Sequence, residues 1–173
     1  NNEILKSMRR DHTVEEYLDL IDELKSEVPD ISLTTDIIVG FPGETDAQFQ
    51  DTLKVMERVG YSSSFMFSYS PRPGTPANEF EDSVSEDVKS RRLQEIIQLQ
   101  NRLTEEQGRL YKGQTIEMLI EGCSGKPGYS FKGRNPQYWR VNAKGGEGLY
   151  KPGDRVQVHI DQTSGHGLSG EIQ

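Results

Sequence analysis

Apolar residues recur at three- and four-residue spacing from Val14 through Tyr17, Leu18, Ile21, Leu24 and Val28, which predicts an amphipathic helix stopping near Pro29. Thr13 precedes it as N-cap, with Glu16 three residues on in capping-box position. The pattern then changes. Ile31 to Val39 predicts a strand, and its continuous apolar core Ile37-Ile38-Val39 predicts a parallel strand covered on both faces. Helical spacing returns from about Asp46 to Val59, with Phe49, Leu53, Val55, Met56 and Val59 on one side and Gly60 as its stop. Tyr61 to Tyr69 predicts the next strand. Helix, strand, helix and strand joined by short segments predict right-handed βαβ units and a parallel sheet, hence an α/β fold.

Pro71 to Asp82 holds too many prolines for a regular element. Ser83 or Ser85 then caps a long helix carrying Val88, Leu93, Ile96, Ile97, Leu99, Leu103 and Leu110 and ending near Tyr111-Lys112-Gly113. Such a helix is about 40 Å long at ~1.5 Å per residue, enough to lead from one module to the next. Beyond Gly113 the periodicity becomes that of short strands: Thr115 to Glu121, Tyr129 to Lys132, Tyr138 to Asn142, Arg155 to Ile160 and Gly167 to Ile172. Glycine-rich turns separate them, and Pro152-Gly153-Asp154 is a strong turn signal. Five short strands predict a small antiparallel barrel of OB-like kind. The expected organisation is therefore 1–83, a parallel α/β part; 84–112, a long linking helix; and 113–173, the barrel.

Charge changes the picture of the second module. The formal net charge of −8 argues against nucleic acid as a partner. Yet residues 1–112 carry 13 Lys/Arg against 22 Asp/Glu, whereas residues 113–173 carry 7 against 6. All seven of those basic residues lie between Lys126 and Arg155, with only Glu147 and Asp154 as acids. This predicts a mildly basic surface on the barrel, and solvated loop charge reads the same way. No stretch is apolar enough to span a membrane, and the polar opening Asn1 to Lys6 is no signal peptide. The single Cys123 excludes a disulfide framework and fits a reducing cytoplasm. One thiol also cannot hold an iron–sulfur cluster, which takes three or four.

Two strand ends carry the candidate chemistry. Thr34 to Val39 runs into Gly40-Phe41-Pro42-Gly43 and opens a helix at Glu44-Thr45-Asp46. A strand feeding a glycine turn and a helix start brings bare backbone beside a ligand, or simply makes a tight joint. Neither GxGxxG nor GxxxxGK[ST] is present, so this is no phosphate-binding fingerprint. Gly40 reads as a position where a flat ligand replaces the side chain. Asp36, inside an apolar strand, reads as a buried carboxylate that needs a partner or a ligand. Glu44 reads as a favourable charge in a helix first turn, with a ligand-facing role as the alternative. After the second strand, Tyr69-Ser70-Pro71-Arg72-Pro73-Gly74-Thr75-Pro76 holds Arg72 on a stiff segment, preset for a phosphate or carboxylate or paired with a nearby acid. His12, His159 and His166 have no metal-ligand spacing, and no catalytic residue or metal ligand can be named. On the barrel, Gly133-Arg134-Asn135 and Tyr138-Trp139-Arg140 put basic and aromatic residues side by side, which suits single-stranded RNA. Strand alternation lets only one of Tyr138 and Trp139 face outward.

The segments Ile4 to Arg10, Thr34 to Thr45 and Tyr69 to Ala77 together resemble the radical S-adenosylmethionine methylthiotransferases, most closely the MiaB-type branch that acts on tRNA. The last 60 or so residues resemble the TRAM domain that follows the catalytic barrel in that family. The resemblance implies the C-terminal half of a TIM-like radical SAM barrel, a linking helix and an OB-like TRAM barrel. It implies transfer of a methylthio group to C2 of N6-isopentenyladenosine at tRNA position 37, in the cytoplasm, with S-adenosylmethionine and two [4Fe–4S] clusters as cofactors and the tRNA anticodon stem-loop as partner. The C2 carbon is unactivated, hence the radical chemistry. It places Asp36, Ile38 and Gly40 on the strand that meets the ribose and adenine of S-adenosylmethionine, Phe67 and Tyr69 on the next strand, and Arg10 near the methionine part or the substrate. Arg72, Lys132, Arg134, Asn135 and Trp139 would then face RNA. The family's CxxxCxxC motif has no counterpart here, so the chain reads as an inactive fragment whose open sheet edge needs cover, from a second copy of the chain. The alternatives are the ribosomal-protein (aspartate) methylthiotransferase and a non-enzymatic RNA-binding TRAM protein. The proline-bearing Ser70-Pro71-Arg72-Pro73-Gly74-Thr75 favours the tRNA branch.

Overall fold

A computed structural model describes residues 1–81, 83–165 and 167–173. Asp82 and His166, the latter noted above only as lacking metal-ligand spacing, lie outside the described residues. The chain divides into two compact units, Asn1–Leu103 and Thr104–Gln173.

The first unit contains helices α1 (Asn2–Ser7), α2 (Val14–Glu27) and α3 (Asp46–Val59), and strands β1 (Thr34–Val39) and β2 (Ser63–Ser68). It also holds a 3₁₀ turn at Pro76–Glu79 and most of helix α4 (Glu86–Arg109). Local signals explain the helix ends. Thr13 and Glu16 form a complete capping box on α2, and Thr45 and Gln48 do the same on α3. Gly60 closes α3 in the left-handed conformation, φ 64°. Ser85 caps α4, its hydroxyl accepting the Val88 N–H. Thr45→Ala removes the α3 box and should cost about 1 kcal/mol. A urea titration checks this as a lower midpoint at unchanged slope.

β1 and β2 pair in parallel, with Asp36 opposite Phe65 and Ile38 opposite Phe67. α2, α3 and α4 bury Ile21, Phe49, Met56, Val59, Ile96 and Leu103 against Ile37 and Val39. The sheet is thus covered on one face only. Alternation puts Thr34, Asp36 and Ile38 of β1 and Phe65 and Phe67 of β2 on the other, exposed face. This corrects the expectation of a strand covered on both sides, and of Asp36 as a buried carboxylate. The segment expected to be irregular after Pro71 contains the 3₁₀ turn, seeded by Pro76 at its first position.

In the second unit, β3 (Thr115–Cys123), β4 (Phe131–Arg134), β5 (Arg140–Lys144), β6 (Arg155–Ser164) and β7 (Gly167–Ile172) close a barrel in the order β3-β4-β5-β7-β6. The barrel is mixed rather than antiparallel, because β7 runs parallel to β5. A crossing from β5 to β7 by way of β6 fixes that direction. The interior is filled by Met118, Ile120, Phe131, Trp139, Val141, Val156, Val158, Ile160 and Leu168. Two interior glycines allow strands to approach closely: a Cβ on Gly133 would lie 2.0 Å from the Leu119 carbonyl oxygen, and one on Gly170 1.9 Å from that of His159. No helix among the described residues is long and apolar enough to cross a membrane.

Candidate functional site

The exposed face of the β1–β2 sheet is apolar around a single acid. Phe65 is 68% exposed, Phe67 52% and Ile38 39%, a large apolar area to leave in water. Register sets Asp36 beside Phe65 and Ile38 beside Phe67. A cavity of about 460 Å³ extends to this face, and Arg10, His12, Asp36 and Ile38 are among its lining residues. Arg10 reaches it because α1 ends in a left-handed turn: Arg9 has φ 57°, and the Arg10 N–H bonds back to the Leu5 carbonyl at 2.9 Å. The structure therefore brings Arg10, Asp36 and Ile38 together and sets Phe67 next to Ile38. Phe65 was missed in the sequence, although its two-residue spacing from Phe67 is the signal that finds it.

Gly40 and Tyr69 sit where the two strands end. The Tyr69 N–H donates to the Val39 carbonyl at 2.8 Å, and the Tyr69 ring meets Phe41 edge-on at 5.2 Å. Its hydroxyl donates to the Ala77 carbonyl at 3.0 Å, tying the proline-rich loop back to the strand end. Gly40 has φ 72°, and a Cβ there would lie 2.5 Å from Cγ of Lys89. The space a side chain would take there is occupied by the Lys89 stem from α4.

Glu44 is not a surface charge, and it is among the residues that line the same cavity. It is buried and accepts the Gly40 N–H at 2.7 Å. The equally buried Arg92 donates through Nη1 to its carboxylate at 2.8 Å and to its carbonyl at 3.0 Å. Nη2 of Arg92 donates to Asp46 at 2.9 Å. Burial pushes the Glu44 carboxyl above its ordinary value, against the pull of the Gly40 amide and the guanidinium. Asp46, in water, is held below its ordinary value by Arg92. Neither Lys89 nor Arg92 had any local sequence signature.

The barrel presents the second candidate surface. Lys132 and Arg134 share one face of β4, and Arg140 pairs with Arg134 in register on β5. The Arg134 guanidinium lies 4.1 Å from the centre of the Tyr138 ring and donates to Glu121 at 3.0 Å. Tyr138 is 72% exposed. Asn135 and Trp139 are turned the other way. Trp139 packs in the barrel core, with its ring against Tyr111 at 5.7 Å. The Asn135 side chain, buried, accepts the Trp139 N–H at 2.8 Å and shapes the turn between β4 and β5. Both are buried in this geometry, and Tyr138 offers the exposed ring, with the Arg134 guanidinium over it. A second group sets Lys126 and Lys144 about Tyr129, at 4.4 and 5.5 Å. In the first unit Arg72 is exposed.

Among the described residues no group of His, Cys, Asp and Glu is arranged to hold a metal, and Cys123 is exposed on the barrel. These residues do not fit an iron–sulfur cluster.

Residues 1–56 match the family model of the radical SAM superfamily. Over 99% of its length the chain is 45% identical to the tRNA-2-methylthio-N(6)-dimethylallyladenosine synthase of Desulfotalea psychrophila, covering 38% of that protein. Proteins of the same name from Protochlamydia amoebophila and Carboxydothermus hydrogenoformans are each 43% identical, over 100% and 99% of the chain. The chain spans 38% and 39% of their lengths. The resemblance drawn from the sequence motifs is thus supported along the whole chain.

Proposed function

We infer that this chain is part of a radical SAM methylthiotransferase that modifies tRNA, contributing one wall of the nucleoside-binding face and an RNA-binding barrel of TRAM type. The half-TIM arrangement, the cytoplasmic setting and a methylthio transfer at C2 of the isopentenylated adenosine belong to the same proposal. The observation that carries it is the exposed Asp36, Ile38, Phe65 and Phe67 face, with Arg10 at its cavity, on a chain similar throughout to tRNA methylthiotransferases. An apolar strip beside one carboxylate suits a nucleoside: the base lies on Ile38 and Phe67 and the ribose hydroxyls donate to Asp36. Arg10 complements a carboxylate at the far end of the ligand.

When bound, S-adenosylmethionine would supply the radical chemistry that an unactivated carbon requires. The residues of this chain bind and orient it. In the complete protein, Asp36→Ala should weaken binding of S-adenosylhomocysteine, read by calorimetry, by about tenfold or more, the loss of a charge-assisted hydrogen bond. Unchanged binding would sink the nucleoside reading.

For RNA, the anticodon stem-loop is the proposed target, with Arg72 and the Lys132, Arg134, Arg140 and Tyr138 surface as contacts. Lys132→Ala should weaken binding in a gel shift and lower the slope of log K against log salt by about one. Tyr138 separates function from stability. Its φ of 69° is strained for a non-glycine residue. Tyr138→Gly should leave the barrel's melting temperature at or above that of the parent while weakening RNA binding several-fold through loss of a stacking face. Equal RNA affinity would remove Tyr138 from the interface. The uncovered sheet also suits a second copy of the chain, which sedimentation at micromolar concentration would reveal as a dimer.

A further inference from the structure

Helix α4 reaches both strand-end loops from beneath through two buried cations one turn apart. Arg92, 3% exposed, grips the first loop: its guanidinium bonds the Glu44 carboxylate, which in turn holds the Gly40 N–H at the end of β1. The same guanidinium bonds the Glu44 carbonyl and the Asp46 carboxylate at the opening of α3. It also lies 5.4 Å from the Phe49 ring centre. This is more than ion pairing requires. Only a planar fork can hold a carbonyl and two carboxylates 48 and 46 residues away in sequence at fixed relative positions. The buried Nε has no partner, so the group is oriented by the loop it holds rather than by full satisfaction of its own donors.

Lys89, 1% exposed, serves the second loop as well as the first. Its stem fills the space beside Gly40, and its ammonium lies 5.7 Å from the Tyr69 ring centre while bonded to Glu86 at 2.9 Å. Gly40 and Tyr69 are thereby set by one helix through adjacent turns.

We infer that Arg92 and Lys89 are positioning residues, holding the loops after β1 and β2 in the one geometry that receives the nucleoside. This rests on the nucleoside reading given above. Neither side chain lies on the exposed face, so each acts through Gly40, Glu44 or Tyr69. A held loop needs no ordering when ligand arrives, which is the physical source of tighter binding.

The test uses the complete protein, with hydrogen exchange and S-adenosylhomocysteine affinity measured side by side. Arg92→Lys keeps a cation beside Glu44 and loses the fork. Exchange at the Gly40 amide should rise at least tenfold and affinity fall about tenfold, with a small change in melting temperature. Glu44→Gln should give the same pattern, and the double variant should be no worse than either single one, because both break one chain of bonds. Lys89→Met keeps the stem and should leave exchange over 38–42 unchanged, whereas Lys89→Ala should raise it. Exchange that does not respond in Arg92→Lys overturns the inference. So does faster exchange with wild-type affinity, which would make the contacts purely structural. A wild-type protein that fails to bind the ligand overturns the parent reading and the positioning role together, whereas binding by wild type that Arg92→Lys leaves intact overturns only the latter.

Discussion

Gly133→Ala is expected to destabilise the closed barrel by on the order of 3–5 kcal/mol, near the upper end for a single substitution. The added methyl would stand 2.0 Å from the Leu119 oxygen and 3.0 Å from Cγ of Met118. A backbone oxygen cannot rotate away as a side chain can. β3 and β4 would have to separate where β3 is already irregular, between Ile120 and Gly122. A domain of about 70 residues has only some 4–10 kcal/mol in all, so most of it would be spent. Thermal melting should show the barrel transition falling by 15 °C or more while the first unit melts as before. A fall below about 3 °C would mean that the strands have room to shift.

Arg92→Met is expected to destabilise the first unit by about 3–5 kcal/mol at neutral pH, because it leaves Glu44 buried without its cation. The pH dependence carries the diagnosis. Burial already raises the Glu44 carboxyl, and removing the guanidinium raises it further. An acid whose value is higher folded than unfolded is most favourable to folding when protonated. Its stability contribution therefore falls as pH climbs from the ordinary 4.5 through the raised folded value, and is level above that. The deficit of Arg92→Met should accordingly be smaller towards pH 4–5 than at pH 7–8. Denaturant titrations at those two pH values check it. A deficit that is equal at both would place the loss in packing against Phe49 rather than in the stranded carboxylate.

What could be read from the sequence was what neighbours in sequence decide. The capping box at Thr13, the helix stop at Gly60 and the strand periods are interactions within four residues, and they lie where the patterns predict. Which face of β1 is covered is decided by helices far along the chain, so the apolar run Ile37-Ile38-Val39 looked buried on both sides when Ile38 is open. Asp36 follows from the same cause. Glu44 looked like a first-turn charge because its partner, Arg92, lies 48 residues away. Trp139 and Tyr138 were separable only in kind: alternation required one inside, and the turn set by Asn135, with Tyr138 in the left-handed region, decided which. The direction of β7 had no local signal at all, since parallel pairing with β5 is a property of the closed barrel.

That last pairing has a kinetic consequence. β7 supplies the partner for both β5 and β6, so two seams wait on the six residues Gly167–Ile172. During synthesis the first unit can collapse as soon as α4 emerges, whereas the barrel stays an incomplete ribbon with exposed edges until its final strand clears the ribosome. Folding is thus staged by translation, with the barrel closing after the first unit and the interval before it closes being the time of greatest exposure to misassociation.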